Sequence, residues 1–287
     1  MSNTFDKTHG KEKKKKGNVF KYCILIIFTV IFIFPIYWMI MTSIKTNDVL
    51  LRLPPEWIPV KPTLDSFVRV LSDLKFLTFY KNSIIVSAGS TILAILLAMH
   101  ASYAFSRFKF AGSKILQLAF LSTQMFPQVA LMIALYSLYK NLGLLDTYTA
   151  LILACTTIAL PLSTWILKGF YDTIPTSLEE AAAIDGCGRY MTFWKIIVPL
   201  IQPGILAVAI YAFLIGWDDF VWGLTLITKV EMRTLTPGIV LTYFGENSYD
   251  WAKIMTASVC ASLPVLLVFI GLQKYMVSGL TLGAVKG

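Results

Sequence analysis

Ionisable side chains are scarce in this sequence, so any chemistry rests on the few that interrupt its apolar runs. Asp218 and Asp219 stand side by side after Trp217 in a long apolar stretch. A carboxylate is costly there unless it faces a protein interior or an interface. Proton-coupled transport is one chemistry such a pair would suit. Helix neighbours point about 100° apart, so the two cannot readily share one proton. A second interruption, T-Q-M-F-P-Q, holds Gln124 and Pro127. Gln124 either lines a polar path or caps the backbone gap that Pro127 leaves. A third lies around Ile174–Pro203, where Asp172, Glu179, Glu180 and Asp185 gather within a short span of chain.

None of these groups is an engine. The sequence contains no G-x4-G-K-[ST], H-E-x-x-H, G-x-S-x-G or C-x-x-C. Gly112-Ser113-Lys114 lacks the upstream glycine and the strand of a phosphate-binding loop. His9 and His100 are the only histidines, which excludes a histidine metal cluster. Cys23, Cys155, Cys187 and Cys260 are too widely spaced for a metal or redox motif and read as packing residues. No cofactor or metal is expected in this chain. Energy for any transport therefore comes from a gradient or from another polypeptide.

The elements that position these residues follow from composition. Of 287 residues, 56% are hydrophobic and 14% charged, with mean hydropathy +0.69. Soluble domains carry about 25% charged residues. The chain reads as an all-α, polytopic membrane protein. The net charge of +9 does not point to nucleic acid, because the first 21 residues hold seven lysines against Asp6 and Glu12. We expect residues 1–21 to be a basic, unstructured cytoplasmic tail, held on that side by its lysines. It either touches membrane lipid through those lysines or only aids solubility.

Six spans are expected over about 22–43, 82–105, 115–139, 148–170, 201–227 and 251–275, within a domain of residues 22–277. The first is too long for a signal peptide and is read as retained. Residues 64–77 suggest a short amphipathic helix on the outer surface. Ser, Ala and Gly in S-A-G-S-T mark the second span as a close-packed interface. Both termini are cytoplasmic on this count, with residues 278–287 as a C-terminal tail. The multi-pass chain would sit in a bacterial cell membrane.

The polar segment then lies on the cytoplasmic side, as a loop of about 171–199. It reads as two short helices around a glycine turn. Thr176 with Glu179, and Ser177 with Glu180, offer overlapping capping boxes. Ala181, Ala182 and Ala183 carry little bulk. Gly186 and Gly188 stop the first helix, and Pro199 ends the second. Such a segment is either an ordinary loop between spans or a docking knob.

Its residues carry a specific pattern. Glu180-Ala181-Ala182, three residues, Gly186, nine residues, Ile196 and Pro199 stand in the register of the EAA loop of bacterial ABC-importer permeases, with Val198 where leucine is usual. The chain is similar to the carbohydrate branch of that family, the maltose-permease G type, through F-P-I-Y-W-M-I-M-T-S-I-K, the W-D-D-F stretch and the ending G-L-T-L-G-A-V-K-G. The resemblance implies a sugar-importer permease that pairs with a second permease, a dimeric cytoplasmic ATPase and an extracytoplasmic solute-binding protein. ATP and Mg would be bound by the ATPase. A polyol, glycerol phosphate or uronate oligomer is the alternative cargo.

The resemblance also implies residue roles. Leu178, Glu180, Ala181, Ala182, Ile184, Asp185, Gly186, Ile196 and Pro199 would form the ATPase contact, with Glu180 pairing a basic residue. Gly283, Ala284, Val285, Lys286 and Gly287 would enter between the ATPases. Gln124, Trp217, Asp218 and Asp219 would border the translocation path. Tyr243, Phe244 and Tyr249 would meet the binding protein.

Overall fold

The apolar runs form helices, and the polar interruptions decide where those helices break. The computed structural model describes residues 6–244 and 250–284, and it is all-helical among them. Among the described residues, four helices are long and apolar enough to cross a membrane: Lys21–Ser43, Leu74–Arg107, Tyr148–Thr173 and Trp251–Gly271. Two further bent pairs bring the number to six if each counts as one span.

The chain divides into two compact units. The first comprises residues 1–70 and 248–260. Its helix α1 (Asp6–Ser43) begins inside the lysine-rich segment, which corrects the expected unstructured tail. Lysine and glutamate are good helix formers, and with no proline in that segment the helix runs through Gly10 and Gly17. A loop with α2 (Asn47–Leu50) follows, then α3 (Asp65–Leu71). Several basic residues of this loop are locally engaged. Arg52 pairs with Asp48 at 2.9 Å, Arg69 pairs with Asp250 at 2.6 Å, and Lys45 lies over Trp38.

The second unit comprises residues 71–247 and 261–287. Its core is α4 (Leu74–Arg107), α7 (Tyr148–Thr173) and α10 (Gln202–Trp217). The expected helix over 64–77 is divided, because the Asp73 side chain accepts from Lys75 N and starts α4 there. Ser83, Ser87, Ser90, Ala94, Ala98 and Ser102 form a buried stripe along α4, at steps of three or four residues. Gly204, Val208, Ala212 and Gly216 do the same on α10. Stripes of small residues let helix backbones approach closely where lipid supplies no hydrophobic drive.

The expected third span is two helices, α5 (Ser113–Ser122) and α6 (Gln128–Asn141), bent by 101°. Pro127 has no N–H to continue the ladder, so the chain turns rather than merely kinks. Between α7 and α10 lie α8 (Ser177–Ile184) and α9 (Arg189–Leu200). A 76° bend at Ile201 separates α9 from α10. Pro199 sits inside the end of α9, one residue short of the break. The expected fifth span also breaks after Trp217 and resumes as α11 (Val221–Leu226). The segment from residue 228 then carries α12 (Leu235–Tyr243), and α13 is Trp251–Ala284.

Candidate functional site

Helix α8 divides its residues between two faces. Glu179 and Ala182 lie three apart and turn inward, with Ala182 buried. Leu178, Ala181, Ile184 and Asp185 turn outward at helical spacing, and Glu180 is exposed between them. Ile184 is 86% exposed. Asp185 closes the helix, and Gly186 follows at φ +84°, the left-handed conformation that glycine adopts most cheaply. Gly188 starts α9 rather than stopping α8. Ile196 is half-buried in a π-turn over Phe193–Ile197, and Pro199 is exposed.

Ala182 faces the body of the chain. One expectation for this loop is corrected. Thr176 makes no side-chain cap to α8. The Glu179 carboxylate that would complete its box is bound elsewhere. Arg107 Nε donates to one oxygen of Glu179 and Tyr103 Oη donates to the other at 2.7 Å. A second Arg107 nitrogen donates to Ile174 O at 2.9 Å. The Arg107 and Glu179 side chains are 9% and 18% exposed. A charge-assisted pair satisfies more of the carboxylate than a neutral cap would. Sequence reasoning missed this cluster. Its only local signal is two adjacent glutamates, of which a helix can turn just one toward a given neighbour.

The residues expected at the translocation path each make local contacts. Gln124 donates to Ile158 O at 2.8 Å, on the turn of α7 before Pro161. It therefore ties α7 rather than capping the gap at Pro127. It borders a cavity of about 430 Å³ with Leu97, Phe120, Thr157 and Pro161. Trp217 is buried, donates from its indole N–H to Ala261 O at 3.0 Å and packs edge-on against Tyr80. Asp219 accepts from the backbone N–H groups of Trp222 and Gly223, at 3.2 and 2.8 Å. It is the cap of α11. Asp218 is exposed. The Asp219 carboxylate therefore serves the break in the helix.

Tyr243 is among the residues expected to meet the binding protein. It faces inward, 8% exposed, and its hydroxyl donates to Asp73 at 2.9 Å. Burial, with Asp73 beside it, pushes its phenol well above the ordinary value. Phe244 stands at the surface. Tyr249, Val285, Lys286 and Gly287 lie outside the described residues, whereas Gly283 and Ala284 belong to α13. The segment from residue 228, expected to lie outside, is held by α4. Asn82, 1% exposed, donates to Glu231 O and Arg233 O at 2.9 and 2.8 Å and accepts from Tyr148 Oη at 2.7 Å. Ser83 Oγ accepts from Leu235 N at 2.7 Å.

Residues 90–281 match the family model described as "Binding-protein-dependent transport system inner membrane component". The chain is 33% identical over 277 residues to the inner membrane ABC transporter permease protein YcjP of Escherichia coli (strain K12), covering 96% of this chain and 99% of that protein. It is 38% identical to the sulfoquinovosyl glycerol transport system permease protein SmoH of Agrobacterium fabrum (strain C58 / ATCC 33970), covering 89% of each. It is 37% identical to the trehalose/maltose transport system permease protein MalG of Thermococcus litoralis, covering 91% and 94%. Its fold matches a chain from the crystal structure of a bacterial ABC transporter for the acidic polysaccharide alginate, with TM-score 0.82 at 22% identity, covering 92% of this chain and 98% of that one.

Proposed function

The chain belongs to the binding-protein-dependent transport system inner membrane components, and from that premise we propose that it is one permease subunit of an ATP-driven importer for a sugar or oligosaccharide. A second permease would complete the path through the bilayer. An extracytoplasmic binding protein would deliver the solute. ATP and Mg would be bound and hydrolysed by a separate dimeric ATPase. Two of the relatives carry sugar compounds in their names. Both termini would lie in the cytoplasm, with the lysine-rich start of α1 on that side.

The observation that carries this reading is the outward face of α8. Leu178 and Ile184 stand in solvent beside Glu180 and Asp185. An apolar patch with a polar rim marks a docking surface. Its mixed character suits a partner cleft that offers an apolar floor and a basic side chain. Gly186 turns the chain sharply behind it, so α8 projects as a knob. Ile196 and Pro199 would hold the returning helix. Gly283–Gly287 would add a second contact with the ATPase.

A proton-coupled mechanism draws no support from Asp219, whose oxygens cap α11. The test is purification of the tagged chain from its native membrane. An ATPase and a second permease should come with it. Glu180→Ala should leave the membrane content unchanged and reduce ATP-driven uptake about tenfold or more, because truncating one partner of a desolvated charge pair costs roughly 2–5 kcal/mol. Recovery of a lone protomer that transports on a proton gradient would end this reading.

A further inference from the structure

Helix α4 joins the two polar clusters that the fold places at its ends. At one end Arg107 grips the docking loop twice, through Glu179 on α8 and through Ile174 O at the loop entry. Tyr103, one turn earlier, takes the other Glu179 oxygen. At the opposite end Asn82 spends both amide hydrogens on the outer segment, at Glu231 O and Arg233 O. Ser83 takes the next free N–H of that segment, at Leu235. Every one of these side-chain bonds reaches across 67 or more positions of sequence.

Between its ends α4 is built to be stiff. Pro35, Pro161 and Pro264 lie inside α1, α7 and α13, and the α5–α6 and α9–α10 pairs break near Pro127 and Pro199. Helix α4 runs 34 residues without a proline. Kinks in helices arise mainly at proline, at glycine or serine pairs, or at π-bulges; the α-ladder of α4 is continuous and contains no π-turn, and its one glycine–serine pair, Gly89–Ser90, lies in the packed middle, where Ile152 of α7 sits against Gly89. Asn82 and Arg107 are thus fixed about 38 Å apart at ~1.5 Å per residue. The buried stripe of α4 packs against α7 and α10 along this length.

We propose that α4 is a connecting rod, in which Arg107 and Glu179 are positioning residues that pass displacement of the docking loop to the outer segment held by Asn82. This rests on the importer reading above, since it needs an ATPase to move α8. The charge pair is suited to the task. Both partners are largely buried, and separating them would leave an uncompensated charge. Displacement of α8 therefore drags the end of α4 rather than sliding over it. The division of labour between the glutamates follows: Glu180 faces the partner, Glu179 faces the rod.

The test is hydrogen–deuterium exchange on the whole complex in lipid nanodiscs, with Mg-ATP and orthovanadate as the probe. In the wild type, vanadate trapping should change exchange at both 177–186 and 228–236. Glu179→Gln and Asn82→Ala should keep the change at 177–186 and cut the change at 228–236 by roughly fivefold or more, the range of an ordinary coupling free energy. Basal ATP hydrolysis should persist. A merely structural role would raise exchange equally with and without vanadate and keep the difference, which would overturn the rod. So would a wild type that responds at 177–186 and not at 228–236. If Glu179→Gln fails to assemble, Arg107→Lys keeps the ion pair while losing the tie to Ile174 O, and an unaltered outer response in it and in Asn82→Ala would overturn the proposal. Absence of any co-assembled ATPase, or of a response at 177–186 in the wild type, would instead remove the importer reading and the rod with it.

Discussion

Replacing Gly216 by alanine should loosen the packing of α4 on α10, although it adds only one methyl group. A Cβ at Gly216 would lie 2.8 Å from Ser90 Oγ and 2.9 Å from Ser87 Cα. Carbon atoms pack best at about 3.5–4.0 Å. The nearer carbon is backbone, so no side-chain rotation relieves it, and Ser87 is fully buried against neighbouring helices. Helix α10 must therefore recede by on the order of half an ångström, loosening the whole stripe from Gly204 to Gly216. Overpacking of this kind costs about 1–3 kcal/mol. Gly169→Ala on α7 is the control, because nothing lies within 4 Å of its added carbon. It should be neutral or gain up to about 1 kcal/mol of helix stability. The assay is the apparent Tm of the purified complex, read by fluorescence-detected gel filtration after heating. Ser90→Ala should not rescue Gly216→Ala, because the clash with the Ser87 backbone remains. A Gly216→Ala protein as stable as Gly169→Ala would refute close backbone approach of α4 and α10.

Gly186→Val should strain the turn behind α8 by about 1–2 kcal/mol, because its φ of +84° is left-handed. At unchanged membrane content, less ATPase should co-purify with this variant. Asp219→Asn should transport nearly as the wild type does, since it still presents an acceptor to α11, whereas Asp219→Ala should lose about 0.5–2 kcal/mol of stability. An inactive but stable Asp219→Asn would argue for a proton role instead. Asp146 accepts from Thr228 N, Thr228 Oγ1 and Lys229 N. Burial pushes its carboxyl up, but the bonds from Lys229 and Thr228 outweigh it and hold the value below the ordinary range. That stabilisation is complete above the unfolded value of about 3.9 and fades as pH falls through the lower folded value. The Tm difference between wild type and Asp146→Ala should be level above about pH 5 and narrow below it.

Much of the local structure was legible because it depends on neighbours in sequence. The apolar runs gave helices near their expected places, and Gly186 turned as its position after α8 required. The small residues of α4 face other helices, as S-A-G-S-T implied. Where two local rules competed, the sequence did not choose between them. Thr176 with Glu179 satisfies a capping pattern, but Arg107 offers the same carboxylate a stronger partner. Asp218 and Asp219 read as costly intramembrane charges until the helix is seen to break after Trp217 and to restart on Asp219.

By itself the sequence determined a helical membrane chain, a glycine-turned acidic loop in the register of the EAA pattern, and the absence of nucleotide-binding motifs of its own. Those properties reside in composition, periodicity and short spacings. Only the tertiary structure decided which glutamate turns inward, that Tyr243 and Ala182 are buried against their own chain, and that one unbroken helix links Arg107 to Asn82. These outcomes depend on pairings separated by 72 positions for Arg107 with Glu179 and by 149 for Asn82 with Glu231. No local pattern encodes them, because they form only once α4, α7 and α10 have packed.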